Sequence, residues 1–358
     1  MRYSFLFSVI IWTLTACNQT NNRQKTTSLP VDSITTAEVR LADISDFDST
    51  AQVDNVNDVA FFVYTKLDSV SLYTQPQATT KMIKIRNDKF NNYYGFEDLG
   101  DFFKLHYQIV NSPPKTIVAY VSKQEFTKDS QLSLQGIDLN VIRSSTQNGV
   151  DDHSNKSFSK MGNISFIDET TYLKAKKQTS TEALIPNPEM KFNGSAWTLA
   201  SDQVKDLKVM KHLVGSEEDS QYQYIGRSWA INREIFLEQD NMTGMDHYIG
   251  YDPHTPDKTP DYFNNLPIIL PSHQIVATLS TNTDLMTDFV LTGYNPQTNT
   301  LTTLLYANFV NFKVPDTSSL FWVDSQTLYF KATHSNTRTS DSNYKSEYLK
   351  LKLAEPVQ

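Results

Sequence analysis

The chain has 358 residues, with 32 Lys and Arg against 40 Asp and Glu, a formal net charge of −8. That balance excludes a dedicated nucleic-acid binder, which carries a basic excess to neutralise phosphates, and 20 Phe, 18 Tyr and 4 Trp exclude a disordered chain. One cysteine and 11 glycines exclude an internal disulfide, thiolate-held zinc or iron–sulfur centres, and collagen-like sequence. Met1-Arg2 supplies a short positive n-region, and Tyr3 to Leu14 is an uncharged, mostly apolar run. As a helix that run spans only about 18 Å, well short of a roughly 30 Å hydrocarbon core. A short apolar run ending in small residues reads as a secretory signal peptide.

The run closes on Leu14-Thr15-Ala16-Cys17, which resembles the lipobox of bacterial lipoproteins. The resemblance implies that residues 1–16 are a signal peptide removed by signal peptidase II and that Cys17 carries lipid. Several acyl chains on one residue hold a protein on a bilayer, where a single chain gives marginal binding. In a two-membrane envelope the resemblance also implies sorting by the next residue. Asn18 in place of Asp then directs the chain to the outer membrane, facing the periplasm. In a single-membrane envelope the anchor lies in the cell membrane. Residues 17–57 follow as a polar stretch with Phe47 its only aromatic, too poor in apolar surface to offset chain entropy. They are expected to form a flexible tether of roughly 35 Å end-to-end reach.

From Val59 the pattern changes to short aromatic and β-branched runs. Val59–Tyr64, Val70–Tyr73, Met82–Ile85, Phe102–Tyr107 and Thr116–Val121 read as strands, separated by turn chemistry such as Gln75-Pro76 and Asn111-Ser112-Pro113-Pro114. A small barrel over 58–128 would bury one face and hide the edges. Val70 to Pro76, Asp101 to Leu105 and Ala119 to Ser122 fall in the order seen in bacterial SH3-like domains, which this segment resembles. It departs from them at Ala119, where the family has glycine, at Phe102 and Phe103, where tryptophan is common, and at Asn87-Asp88, in place of a Lys-Gly turn. The resemblance implies a module that binds an envelope protein or a cell-wall peptide, or one that acts as a spacer. Tyr73, Phe102 and Tyr120 are its candidate aromatic groove, with burial in the barrel core as the alternative.

Residues 129–160 form the expected joint, polar and turn-rich over 144–160, and 161–353 again read as strands. One helix is expected around Ser201–Leu213, where Ser201 offers an N-cap, Val204, Leu207 and Val209 or Met210 give rough helical spacing, and Gly215 can close the end. His247 to Thr255 is echoed by Leu291 to Thr298, so that a Tyr-Asp/Asn-Pro-x-Thr segment returns after about 43 residues, the length of a four-stranded propeller blade. That segment reads as a strand running into a tight turn. Ser228-Trp229 through Leu237 is similarly echoed by Phe321-Trp322 through Phe330. The fold class is therefore mainly β: a small SH3-like barrel followed by a larger antiparallel domain, either a partial propeller-like stack or a β-sandwich.

The densest ligand-bearing stretch holds Asp240, Asp246, His247, Asp252, His254, Asp257 and Asp261. Carboxylates and imidazoles suit a divalent metal, with Asp246, His247, Asp252 and His254 the best candidates. Their spacing fits neither an EF-hand loop nor a His-Glu-x-x-His helix, and acids between strands ordinarily serve turns. Ser157 and Lys160 match a bare Ser-x-x-Lys but lack the Lys-Thr-Gly and Ser-Asp-Asn partners of that chemistry. No Gly-x-Ser-x-Gly elbow, Walker loop or dinucleotide fingerprint is present. No cofactor is expected. The leading reading is a membrane-anchored envelope lipoprotein acting as a non-enzymatic binding or scaffold module. A second is a periplasmic inhibitor or immunity-type protein whose acidic surface meets a basic toxin or hydrolase. A third is a metal-dependent enzyme using 240–261.

Overall fold

Alternation of apolar and polar side chains builds the first sheet. The computed structural model describes residues 41–51, 59–87, 93–109, 115–146, 156–201, 204–210, 212–214, 219–240, 245–255, 259–281, 286–337 and 344–355. Its secondary structure is 56% strand and 8% helix, which places the fold in the mainly-β class. The strands β1 (Ser49–Thr50), β2 (Phe61–Tyr64), β3 (Ser69–Tyr73), β4 (Met82–Arg86), β5 (Tyr93–Leu99), β6 (Phe102–Ile109), β7 (Lys115–Ser122) and β8 (Thr127–Lys128) form one curled antiparallel sheet. Its order is β4-β3-β7-β6-β5-β2-β8, with β1 also on β7. Successive side chains of a strand point to opposite faces. Val70, Leu72, Phe103, Leu105, Ile117, Ala119 and Val121 therefore share one buried face, which Phe47 and Phe126 close. Gly95 lies opposite Phe61, and a Cβ there would fall 2.1 Å from Phe61 Cε2, so the missing side chain is what lets the ring lie across the strand.

The stretch expected as a joint contributes to the second core. Leu134, Leu139, Ile142 and Phe158 are buried there, and β9 (Val141–Thr146) and β10 (Lys156–Ser157) enter a six-stranded sheet. After β11 (Gly162–Ile167) comes α1 (Glu169–Lys176), capped by Asp168, whose carboxylate accepts from the Thr171 amide at 2.8 Å. The helix expected over Ser201–Leu213 is absent. Its described residues lie in β13 (Ala196–Ser201), β14 (Val204–Met210) and β15 (His212–Val214), with β12 (Met190–Phe192) on β13. Leu199 pairs with Leu207 and Ser201 with Val204, a register shift that places one extra residue on β14. The helical interval of Val204 and Leu207 is thus accommodated in a strand that carries a bulge between them.

The remaining strands form meanders. They are β16 (Asp219–Ser228), β17 (Arg233–Asp240), β18 (Met245–Tyr251) and β19 (Asp261–Phe263); β20 (Ile268–Leu270), β21 (Ile275–Thr281), β22 (Thr287–Asn295) and β23 (Thr300–Phe309); then β24 (Phe312–Lys313), β25 (Phe321–Asp324), β26 (Thr327–His334) and β27 (Glu347–Leu353). The sheets run β12-β13-β14, β15-β16-β17-β18-β19, β10-β9-β23-β22-β21-β20 and β11-β27-β26-β24, with β25 on β26.

Three apolar clusters join these sheets in series. Leu199, Leu207 and Val209 meet Phe236 and Ile249. Ile231, Ile235 and Phe263 meet Ile269 and Val276. Ala277, Phe289, Leu291 and Phe309 meet Trp322, Leu328, Phe330, Leu349 and Leu351. Neighbouring strand residues serve different layers, as Ile235 and Phe236 do. The four sheets are thus linked through shared apolar layers, with β9, β10 and β11 from early in the chain inserted into the later sheets. Each fully buried Leu, Ile, Val or Phe in such a core contributes about 1.5–3 kcal/mol.

The two copies of the Tyr-Asp/Asn-Pro-x-Thr segment end β18 and β22 and run into turns. The Asp252 carboxylate accepts from the His254 amide at 2.9 Å and from the Thr255 hydroxyl. Asn295 Oδ1 accepts from the amides of Gln297 at 2.9 Å and Thr298 at 3.3 Å. The tryptophan echo has no such counterpart. Trp322 is fully buried in β25, its indole N–H donating to the Ile268 carbonyl at 2.9 Å, whereas Trp229 stands 62% exposed in the turn before β17.

Candidate binding cleft

The five-stranded sheet β15–β19 covers only part of the six-stranded sheet beside it. Ile269, Val276, Tyr294 and Leu301 lie beneath it, packed against Phe263, Ile231 and Ile235. Beyond them opens a cleft of about 430 Å³, within the roughly 300–1,000 Å³ of small-molecule sites. Thr278, Val290, Thr292, Thr303 and Tyr306 line its floor, and Tyr262, Phe263 and Asn264 line its wall. The floor comes from three adjacent strands, since Thr278 pairs with Val290, Val290 with Tyr306, and Thr292 with Thr303. The Tyr306 hydroxyl donates to Asp288 Oδ1 at 3.1 Å, and the Asn308 amide donates to the same oxygen.

The wall strand β19 is fixed from behind. Arg233, 3% exposed, donates from Nε to Asp261 Oδ2 at 2.6 Å, from Nη1 to Asn299 Oδ1 at 2.7 Å, and from Nη2 to the Asn299 carbonyl at 3.1 Å. Asn299 donates in turn to Asp252 Oδ2 at 2.5 Å and accepts from the Tyr294 hydroxyl at 2.9 Å. Its φ of 53° lies in the left-handed region that asparagine tolerates. This network ties the turn after β22 to both ends of the 252–261 loop. Gly250 leaves room for the Phe263 ring, whose Cε2 would lie 3.1 Å from a Cβ there. On the opposite face of the same sheet, burial together with nearby Tyr262 and Glu238 pushes Tyr251 up to about 12, and burial and its hydrogen bond to Glu238 push Tyr222 higher still. These phenols stay neutral.

The residues singled out from sequence fall as follows. Cys17 and Asp257 lie outside the described residues, as does Asp88. Tyr73, Phe102 and Tyr120 are brought together. Tyr73 pairs with Tyr120, and its ring meets Phe102 edge-on at 5.5 Å. All three occupy the face opposite the barrel-like core, with Tyr73 and Tyr120 half-buried and Phe102 buried. Lys104, opposite Tyr120, is ion-paired with Glu97 at 2.7 Å, which raises its pKa.

The acid and imidazole stretch is not drawn into one cluster. Asp252 caps its turn and holds Asn299, and Asp261 holds Arg233. Asp246 and His254 are exposed, His247 pairs across with Glu238, and Asp240 pairs with Ser220 and Met245. Among the described residues no group of three His, Cys, Asp or Glu is placed to hold a metal ion. Ser157 caps a 3-10 turn over Phe158–Lys160 through the Ser159 amide at 3.3 Å, and Ser157, Ser159 and Lys160 are exposed, not a buried helix start.

The cleft itself escaped sequence reasoning. Its signal was the outer face of β22–β23, where half-buried Thr292 and exposed Thr303 stand at positions that an ordinary wet face gives to Lys or Glu, beside buried Thr278 on β21. No helix among the described residues is long and apolar enough to cross a membrane. No protein-family model, no curated protein and no solved structure matches the chain.

Proposed function

We propose that this chain is a membrane-anchored envelope lipoprotein whose β-rich sheets act as a non-enzymatic binding module. The observation that carries the address is the one cysteine of the chain standing at the last position of Leu14-Thr15-Ala16-Cys17, directly after a short apolar run. Asn18 assigns it to the outer membrane of a two-membrane envelope, facing the periplasm. The binding role is supported by the cleft beside β19 and by the ring cluster of Tyr73, Phe102 and Tyr120. Rigid aromatics give contact area at low entropy cost, and the SH3-like segment is their module. The partner reached through that face is an envelope protein or a cell-wall peptide.

Metabolic labelling with a fatty-acid analogue tests the anchor. The native chain takes up label and partitions with membranes, whereas Cys17→Ala takes up none and leaves them. Label retained in Cys17→Ala would overturn the lipoprotein reading.

A further inference from the structure

We infer that the cleft walled by β19 and floored by β21–β23 binds an uncharged oligosaccharide. This rests on the binding-module reading and names a ligand for it. Strand register gives one face of the six-stranded sheet two characters. Under the neighbouring sheet that face is apolar, with Ile269, Val276 and Leu301 in the shared core. One step further along the same strands it becomes Thr278, Thr292 and Thr303 with Tyr306. A surface that meets only water is ordinarily rich in Lys, Glu, Asp and Arg. Here none of the side chains lining the cleft is charged.

That composition selects the ligand. A phosphate, sulfate or carboxylate would find no cation among the lining side chains, and an amine would find no carboxylate. Two acids adjoin the lining: Asp288 accepts from Tyr306 and Asn308 within the strand face, and Asp261 accepts from Arg233. Threonine and tyrosine hydroxyls both donate and accept, and the Asn264 amide does each with a different atom. Sugar hydroxyls do both as well. A row of such groups on a rigid floor matches a polyol better than a peptide, whose backbone seeks the unpaired edge of a sheet. The floor strands β21, β22 and β23 are each paired on both sides and offer no edge, whereas the wall strand β19 ends its sheet, which makes a peptide the competitor that the test must include. Tyr306 on the floor adds an amphipathic ring, which can lie against the C–H face of a sugar.

The test titrates the full-length chain in detergent micelles with chitotetraose, cellotetraose and maltotetraose, with a capped uncharged tetrapeptide in parallel, read by calorimetry. At least one oligosaccharide is expected to bind at about millimolar affinity or tighter, with the tetrapeptide weaker. Thr303→Lys, at an exposed floor position, and Asn264→Ala, at the exposed wall, should each weaken that binding about tenfold or more. The thermal midpoint, measured beside each titration, should not move. Three results would overturn the inference: no oligosaccharide binding, equal affinity in both variants, or preference for the tetrapeptide. A chain that binds no sugar yet is held by an envelope protein through Tyr73 and Tyr120 would lose this ligand and keep its standing as a binding module.

Discussion

Replacing Glu234 should be among the most damaging single changes in the chain. Its side chain is fully buried on β17, and both carboxylate oxygens are engaged. Oε1 accepts from Asn187 Nδ2 at 2.8 Å and from Arg227 Nη1 at 3.1 Å, and Oε2 accepts from the Tyr224 hydroxyl at 2.6 Å. The Arg227 guanidinium also lies over the Trp229 ring at 4.0 Å and donates to Asn232 at 3.0 Å. Glu234→Ala leaves a shielded cation without its counter-ion and leaves the Asn187 amide and Tyr224 hydroxyl without their acceptor. Removing one partner of a buried pair costs about 3–5 kcal/mol. Hydrogen bonds to a charged group are worth about 1.5–3 kcal/mol each but overlap with that figure, so about 4 kcal/mol is expected. Equilibrium urea unfolding followed by tryptophan fluorescence measures it, since Trp197 and Trp229 flank the site. Arg227→Met should cost less, because Glu234 keeps Tyr224 and Asn187, and the double variant should fall well short of the sum. A loss under about 1 kcal/mol for Glu234→Ala, or strictly additive losses, would refute the account.

Two further outcomes follow from packing and titration. Burial, with Lys66 and Lys313 nearby, pulls His334 down to about 4. An unfolded histidine titrates near 6.5, so the unfolded chain binds the extra proton first as pH falls. Stability is therefore full above about 6.5 and drains toward pH 4, by about 3 kcal/mol in all. His334→Gln should flatten that part of the acid unfolding profile, and parallel profiles for the two proteins would contradict the assignment. Gly95→Ala should cost about 1–3 kcal/mol through overpacking, because Phe61 must swing off Phe103, 5.4 Å away, and Lys128, 4.5 Å away. Adding Phe61→Ala to Gly95→Ala should cost less than Phe61→Ala does alone, and a neutral Gly95→Ala in urea unfolding would rule the clash out.

What could be read from the sequence was local. Ile117, Ala119 and Val121 announce a strand by period two, and Asp252 and Asn295 announce turns by the hydrogen bonds their short side chains make. What could not be read was non-local. The conformation of the segment holding Val204 and Leu207 was decided by pairing with Leu199 and Ser201. Ile142 looked like part of a polar joint until β9 was seen paired with β23, whose sequence neighbours lie far downstream. Trp229 and Trp322 share a sequence context and differ wholly in burial, because one falls in a turn and the other within β25 in the shared core. The cleft is of the same kind. Thr278, Thr292 and Thr303 carry no signal singly and become a floor only when three strands set them side by side.

The pairing of β27 with both β11 and β26 has a kinetic side. The last described strand supplies the middle of its sheet, burying Leu349, Leu351 and Leu353 between β26, the strand just before it, and β11, met much earlier in the chain. Closing so long a loop adds little to the equilibrium cost, since that cost grows only logarithmically with length, but distant strand pairing is slow. Until β27 arrives, the inner edges of β11 and β26 stay unpaired, with Ile164, Leu328 and Phe330 beside them. Such an edge is a template for other chains. A ribosome stalled before residue 347, or a protease trimming that strand from a nascent chain, would therefore release a species prone to stick to its own kind.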